Sequence, residues 1–303
     1  MPLWVLITLF AAALQSWRTA LQQRLRGQLS LNAAAVVRYL YGVPFGLIIL
    51  GVYWLIMGGS FGPVTFWFMA LCGMAGLAQI FGTNLLIASF GPRGFAVGTA
   101  YSKTEAVQAS IISVVLLGEV LAPLSWAGIG LSVTGVMYLS LAGRGLRFAD
   151  ILRATTQPAA LYGIGAGFFF ALTAISVRKA NIELEGTDTI LEALFSVVVT
   201  NTLQTLMQGG WLVLTDRKQV QAVFRSWRSS VQVGLLSACG SCCWFVGFAL
   251  APVPLVRSVG QIEIIFTLLF SRFFLGERLK NKDITGALML VSGVVLVLYG
   301  ALR

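Results

Sequence analysis

The sequence predicts an all-α membrane protein of ten transmembrane helices, arranged as two inverted five-helix repeats. Three observations carry that reading: an apolar composition, ten apolar runs of spanning length, and a match of the chain to itself. Of 303 residues 57% are hydrophobic and 11% charged, with a mean hydropathy of +0.86. Roughly a quarter of the residues in a soluble domain are charged, so the composition belongs to the membrane class. A spanning helix needs about 20 apolar residues.

The first run, Leu3–Leu21, starts apolar with no preceding basic region and no small-residue cleavage site, so it reads as a retained helix. Gln15 and Arg18 enter it before the polar Gln22-Gln23-Arg24 stretch. Ala33–Met57 ends at Gly58-Gly59-Ser60, Phe66–Phe90 at Gly91-Pro92-Arg93, and Phe95–Leu117 at Gly118-Glu119. Leu124–Ala142 closes the first half. A basic linker over 144–157 follows, carrying Arg144, Arg147, Asp150 and Arg153. The second half repeats the pattern with Ala159–Val177, Leu191–Leu214, Val231–Ala251, Val253–Leu275 and Ile284–Leu302.

A shift of 158 positions superposes the halves without gaps. Glu105 falls on Glu263, Ser113 on Ser271, and Leu117-Gly118-Glu119 on Leu275-Gly276-Glu277. Gly128 falls on Gly286, and Gly135-Val136 on Gly293-Val294. Apolar matches would mean little between two membrane helices, but a matched intramembrane acid and two matched Gly-Glu turns mean more. The repeats therefore read as 1–143 and 158–303. Five helices per repeat is an odd number, so the second enters from the opposite side. Inverted repeats place binding sites near the bilayer midplane.

The net charge of +10 lies in short gaps between apolar runs, with no basic stripe interleaved with aromatics. Loops beside anionic lipid explain it better than nucleic acid. The absence of histidine excludes Ser/His/Asp and Cys/His catalysis and His-ligated metal. Cys72, Cys239, Cys242 and Cys243 all sit in apolar runs and read as packing residues. No cofactor and no metal is expected. Lys and Arg concentrate in the odd-numbered loops, including Arg217, Lys218, Arg225 and Arg228, which by charge counting puts both termini outside.

Glu105 and Glu263 each fall at the middle of an apolar run. A charge at that depth costs about 2.5–3.5 kcal/mol on insertion scales, so such residues face protein or a watery cavity. A desolvated carboxylate also suits proton coupling, although a salt bridge fixing helix packing would explain it too. At about 100° per residue Tyr101, Glu105 and Gln108 share a face, and Lys103 is about 200° from Glu105, too far to pair with it within one helix. Gln261 takes the position of Lys103 in the second repeat. The site is then symmetric in acid and asymmetric in base, and would suit a zwitterion. Further polar candidates are Arg38, Gln79 and Asn84, with Trp17 and Trp244 as stacking surfaces or packing residues. Arg257 and Arg272 lie near the ends of their run, where snorkelling to the interface is the plainer reading. Glu119 and Glu277 read as turn formers after a helix-ending glycine.

These residues resemble a known family. The five-plus-five duplication, with Leu117-Gly118-Glu119 and Leu275-Gly276-Glu277 followed by Gly128/Gly135 and Gly286/Gly293, is similar to the EamA-type branch of the drug/metabolite transporter superfamily over essentially the whole chain. The resemblance implies an inner-membrane secondary transporter of small metabolites, without fixing the solute, and cytoplasmic termini against the charge count. The chain departs from the family in having Tyr101-Ser102-Lys103-Thr104-Glu105 and Gly260-Gln261-Ile262-Glu263 where relatives carry a proline-containing apolar stretch. The expected activity is export of amino-acid-like or related polar solutes, with multidrug or organic-cation efflux as the alternative. A membrane enzyme is more remote, since the acidic loop Glu183, Glu185, Asp188 has no company to hold metal or activate a nucleophile. So is a non-transporting scaffold, which gives no reason for buried glutamates in both halves. No G-x-x-x-x-G-K-[ST] motif is present to drive transport by ATP.

Overall fold

In the bilayer every backbone polar group must find its partner within the protein, which leaves an apolar run little choice but a helix. The structure, a computed structural model, describes residues 2–25, 28–89, 95–142, 157–275 and 281–302. Among them every regular element is helical. The elements are α1 (Leu3–Leu25), α2 (Leu31–Leu40), α3 (Gly42–Met57), α4 (Phe66–Ala88), α5 (Phe95–Ser102), α6 (Glu105–Leu117) and α7 (Pro123–Ala142). They continue with α8 (Pro158–Glu183), α9 (Thr189–Gln204), a π-helical turn (Thr205–Gly209), α10 (Gly210–Thr215), α11 (Arg217–Arg225) and α12 (Trp227–Leu250). The last are α13 (Val253–Gly260), α14 (Glu263–Leu275) and α15 (Asn281–Ala301). Seven of the described stretches are long and apolar enough to cross a membrane by length and composition. Gly276, Glu277, the linker residues 144–156, Arg26, Arg93, Arg278 and Lys280 lie outside the described residues, as do the side chains of Arg24 and Arg272.

Two of the ten expected spans break at matched positions. The run 95–117 is broken between α5 and α6, and the run 253–275 between α13 and α14. The interruptions fall at Lys103-Thr104 and at Gln261-Ile262, equivalent positions under the 158 shift. No proline makes them. In each, two successive N–H groups turn back three residues instead of four: Lys103 to Ala100 and Thr104 to Tyr101, then Gln261 to Ser258 and Ile262 to Val259. Hydroxyls take up nearby carbonyls, Thr104 Oγ1 donating to the Tyr101 oxygen at 2.6 Å and Ser258 Oγ to the Pro254 oxygen at 2.7 Å. The second span also pauses, at Tyr41, and the basic stretch after α10 forms the helix α11, which hydropathy alone does not reveal.

The chain packs as two compact units, Met1–Leu77 with Ser176–Leu250 (unit 1) and Ala78–Ile175 with Ala251–Arg303 (unit 2). Each unit draws on both sides of the 144–157 segment, and the boundaries fall inside α4 and α8. The packing units are thus not the two halves of the sequence.

In unit 1, α12 packs along α1 and against α3. Phe68 stacks on Phe195 with ring centroids 5.7 Å apart. A second apolar cluster gathers Leu25, Ala33, Val37, Leu212, Val223 and Val233. The buried Val223 anchors α11, while Phe224 is exposed.

In unit 2, α7 and α15 are in intimate contact. A Cβ on Gly128 would lie 2.6 Å from the Gly293 oxygen, and one on Gly135 would lie 2.6 Å from the Leu290 nitrogen and 3.0 Å from the Gly286 oxygen. Only glycine permits this approach. The first glycine of each pair meets the second glycine of the other, and the contacts run in opposite directions along the two helices.

Candidate functional site

The two helix breaks bring four charges together inside unit 2. Glu105 and Glu263 are the first residues of α6 and α14, where the positive end of a helix favours a carboxylate. Glu105 Oε1 lies 2.8 Å from Arg257 Nε, and Glu263 Oε2 lies 3.1 Å from Lys103 Nζ. Each acid thus pairs with a base from the opposite half of the sequence. The side chains are largely buried, at 14% exposure for Glu105 and 22% for the most open, Lys103. Lys103 and Glu263 also lie close enough to act electrostatically on Glu105. Two positive and two negative groups sum to zero, so the cluster carries no net charge.

The walls hold this arrangement in place. Arg257 Nη2 donates to the Phe170 oxygen at 3.3 Å, and Gln108 Nε2 donates to Thr104 Oγ1 at 2.9 Å and to the Ile164 oxygen at 3.2 Å. Both link the breaks to α8. Gly167 on α8 leaves room at the first break: a Cβ there would sit 2.9 Å from the Ser102 oxygen and 3.2 Å from the Glu105 nitrogen. Glu119 Oε2 accepts the Val253 N–H at 3.3 Å and a hydrogen bond from Ser113 Oγ. A residue of the N-terminal half of the chain therefore caps α13, the half-helix that carries Arg257. Gly118 makes this possible by ending α6 in the left-handed region, at φ 65°.

The other candidates divide between the units. Tyr101 is buried in an apolar cluster with Val97, Ala100 and Ala160, so its ring packs the wall of the first break. Gln261 lies in the second break at 4% exposure, with neither side-chain amide atom hydrogen-bonded within the protein. Gln79 and Asn84 are half-buried on α4 within unit 2, and Asn84 Oδ1 has no protein partner. Arg38, Trp17 and Trp244 belong to unit 1. Trp244 donates to Gln15 Oε1 at 3.0 Å and stacks on Phe248, whereas Trp17 is 51% exposed.

Sequence reasoning missed two members. Arg257 is not a snorkelling residue: its guanidinium turns inward to Glu105, because the break in 253–275 leaves it on a half-helix packed against α6. Glu119 is more than a turn former, since its carboxylate accepts from the Val253 backbone, 134 positions along the chain. The matched Ser113/Ser271 pair was the available signal for the latter. No group of three or more metal-ligating side chains is assembled among the described residues.

Residues 157–299 match the EamA-like transporter family. A solved structure titled only "Crystal structure of protein" aligns over 96% of this chain and 98% of its own, with a TM-score of 0.69 and 17% identity, which speaks for a shared fold. No curated protein matches the chain. Residues 157–299 of this membrane protein are thus similar to the EamA-like transporter family, the one that its sequence resembles.

Proposed function

We propose that this chain is a secondary transporter of small polar metabolites in the inner (plasma) membrane, exporting amino-acid-like solutes by alternating access between inverted repeats 1–143 and 158–303. The observation that carries this reading is the pair of crossed ion pairs at matched helix breaks. Broken helices expose backbone and half-helix ends at membrane depth, the feature by which secondary transporters hold solutes and ions. The reciprocal Gly128–Gly293 and Gly135–Gly286 contacts support the inverted arrangement, since a two-fold axis across the repeats generates that pattern.

The chemistry follows from exchange. A zwitterion can offer its ammonium to Glu105 or Glu263 and its carboxylate to Lys103 or Arg257, so that no charge stands unpaired while the internal bridges open. A proton arriving at either glutamate neutralises it and frees its base for the solute's carboxylate, which gives a route to coupling. Neutrality of the cluster favours such a solute over an organic cation, which would leave a base unpaired at low dielectric.

The test is a proteoliposome flux screen over amino acids and organic cations, with and without a pH gradient. Wild type is compared with Glu105→Gln, Glu263→Gln and Lys103→Gln. The proposal expects flux of a zwitterionic solute that falls at least tenfold in each variant. Normal transport in both glutamate variants removes this site assignment, and normal transport in Lys103→Gln removes the zwitterion.

A further inference from the structure

We propose that α11 and the first turn of α12 form a docking surface for the headgroups of anionic phospholipids. The helix joins two stretches long and apolar enough to cross a membrane, Thr189–Thr215 and Trp227–Leu250, and belongs to neither. Its inner side is fixed to unit 1. Val223 is buried in the cluster with Leu25, Leu29, Ala33, Leu212 and Val233. The Ser30 N–H donates to Gln219 Oε1 at 2.8 Å, and the Tyr41 hydroxyl donates to the Val223 oxygen at 3.2 Å. The apolar partners come from the last residue of α1, the approach to α2 and its first turn, α10, and the second turn of α12. α11 therefore lies where four spanning stretches of unit 1 end or begin, the level at which a bilayer presents its headgroups.

The outer side is cationic. At about 100° per residue Arg217, Gln221, Arg225 and Lys218 fall within one arc of about 100°, with Val223 opposite. All four of that arc are exposed. Arg228 follows on α12, also exposed, with its guanidinium carbon 5.7 Å from the centre of the Trp227 ring. Residues 217–228 thus carry four basic side chains and no acid. Asp216, just ahead of them, is engaged as a cap, its Oδ1 accepting the Gln219 N–H at 3.2 Å. Exposed rings stand beside the charges. Phe224 is 58% exposed and Trp227 54%, and Phe224 falls between Arg217 and Val220 around the helix. Trp211 and Leu214, near the end of α10, are exposed as well. A face turned only to water gains nothing from such groups. At an interface the rings enter the acyl boundary while the bases meet phosphates. Four bases with no acid among them select a bilayer of net negative charge over a zwitterionic one.

The experiment follows amide exchange over residues 217–228 of the full chain in nanodiscs of phosphatidylcholine, alone or mixed with phosphatidylglycerol. Rates are taken relative to residues 58–65, a mostly exposed loop that meets the same lowered surface pH of an anionic bilayer. In the wild type phosphatidylglycerol should slow exchange over 217–228 at least threefold. Lys218→Gln combined with Arg225→Gln should lose most of that slowing and keep the phosphatidylcholine rate. Lys218→Arg combined with Arg225→Lys keeps the charge and should retain the slowing. Both positions are exposed, and exchange of α9 verifies the fold of each variant. Inorganic phosphate added to phosphatidylcholine discs should change nothing. Equal wild-type exchange in the two kinds of disc overturns the inference, as does an undiminished lipid effect in the neutralised variant. The same slowing by inorganic phosphate, or loss of the effect in the charge-keeping variant, overturns it too.

Discussion

Glu105 and Arg257 meet at 2.8 Å although 152 positions separate them in the chain, each standing on one half of a broken helix. Removing one partner of a buried pair leaves the other charge stranded, at about 3–5 kcal/mol, whereas replacing both by neutral groups is far milder. Glu105→Gln and Arg257→Gln should each lower the unfolding temperature in detergent, and the double variant should recover most of the loss. Additive losses in the double variant would show that the two groups do not act as a pair.

The α7–α15 contact gives an internally controlled test. Gly128→Ala places a methyl 2.6 Å from a backbone oxygen, and such overpacking costs about 1–3 kcal/mol. Gly130, two residues along the same helix, has no heavy atom within 4 Å of a Cβ, so Gly130→Ala should be neutral or slightly stabilising. Thermal unfolding of the two variants side by side checks the pair.

The apolar runs and the buried acids were legible because each is written in residue type and position. The breaks were not. Nothing in Phe95–Leu117 is a proline, and its turn is made by Ser102, Lys103 and Thr104, residues that a helix tolerates. Arg257 was misread for the same reason: in a continuous helix its depth suggests snorkelling, and only the break turns it toward Glu105. The incompatibility of Lys103 and Glu105 within one helix was visible from helical geometry, but the partners they take instead lie in the other half of the chain. Pairings between distant segments leave no mark on local hydropathy.

Glu119 should matter for position and not for chemistry. Glu119→Ala removes the acceptor of the Val253 N–H, and loss of such a cap costs about 0.5–2 kcal/mol. Hydrogen exchange over 253–260 should rise relative to the rest of unit 2. Unchanged protection there would remove the capping role.

A pH effect is expected at the start of α9, outside the spans. Burial of Asp188 works against its charge, but N–H groups of Leu191 and Ile190 and the Tyr53 hydroxyl, at 3.0, 2.8 and 2.9 Å, hold its carboxyl below the ordinary range. A depressed folded value means this stabilisation is fully present above the unfolded value of about 3.9 and is lost as pH falls through the folded one. Protection of the first amides of α9, taken relative to their intrinsic exchange at each pH, should therefore be flat near neutrality and fall only in acid. Asp188→Ala should show the acid-like protection already at pH 7.

The central claim is that solute moves through the charge pairs at the matched breaks. The most direct measurement is initial flux of an amino acid into proteoliposomes for wild type, Glu105→Gln and Glu263→Gln, with folding of each verified by its unfolding transition. The account predicts folded variants with flux at least tenfold below wild type, and loss of any response to a pH gradient. Folded variants that transport at the wild-type rate would contradict it.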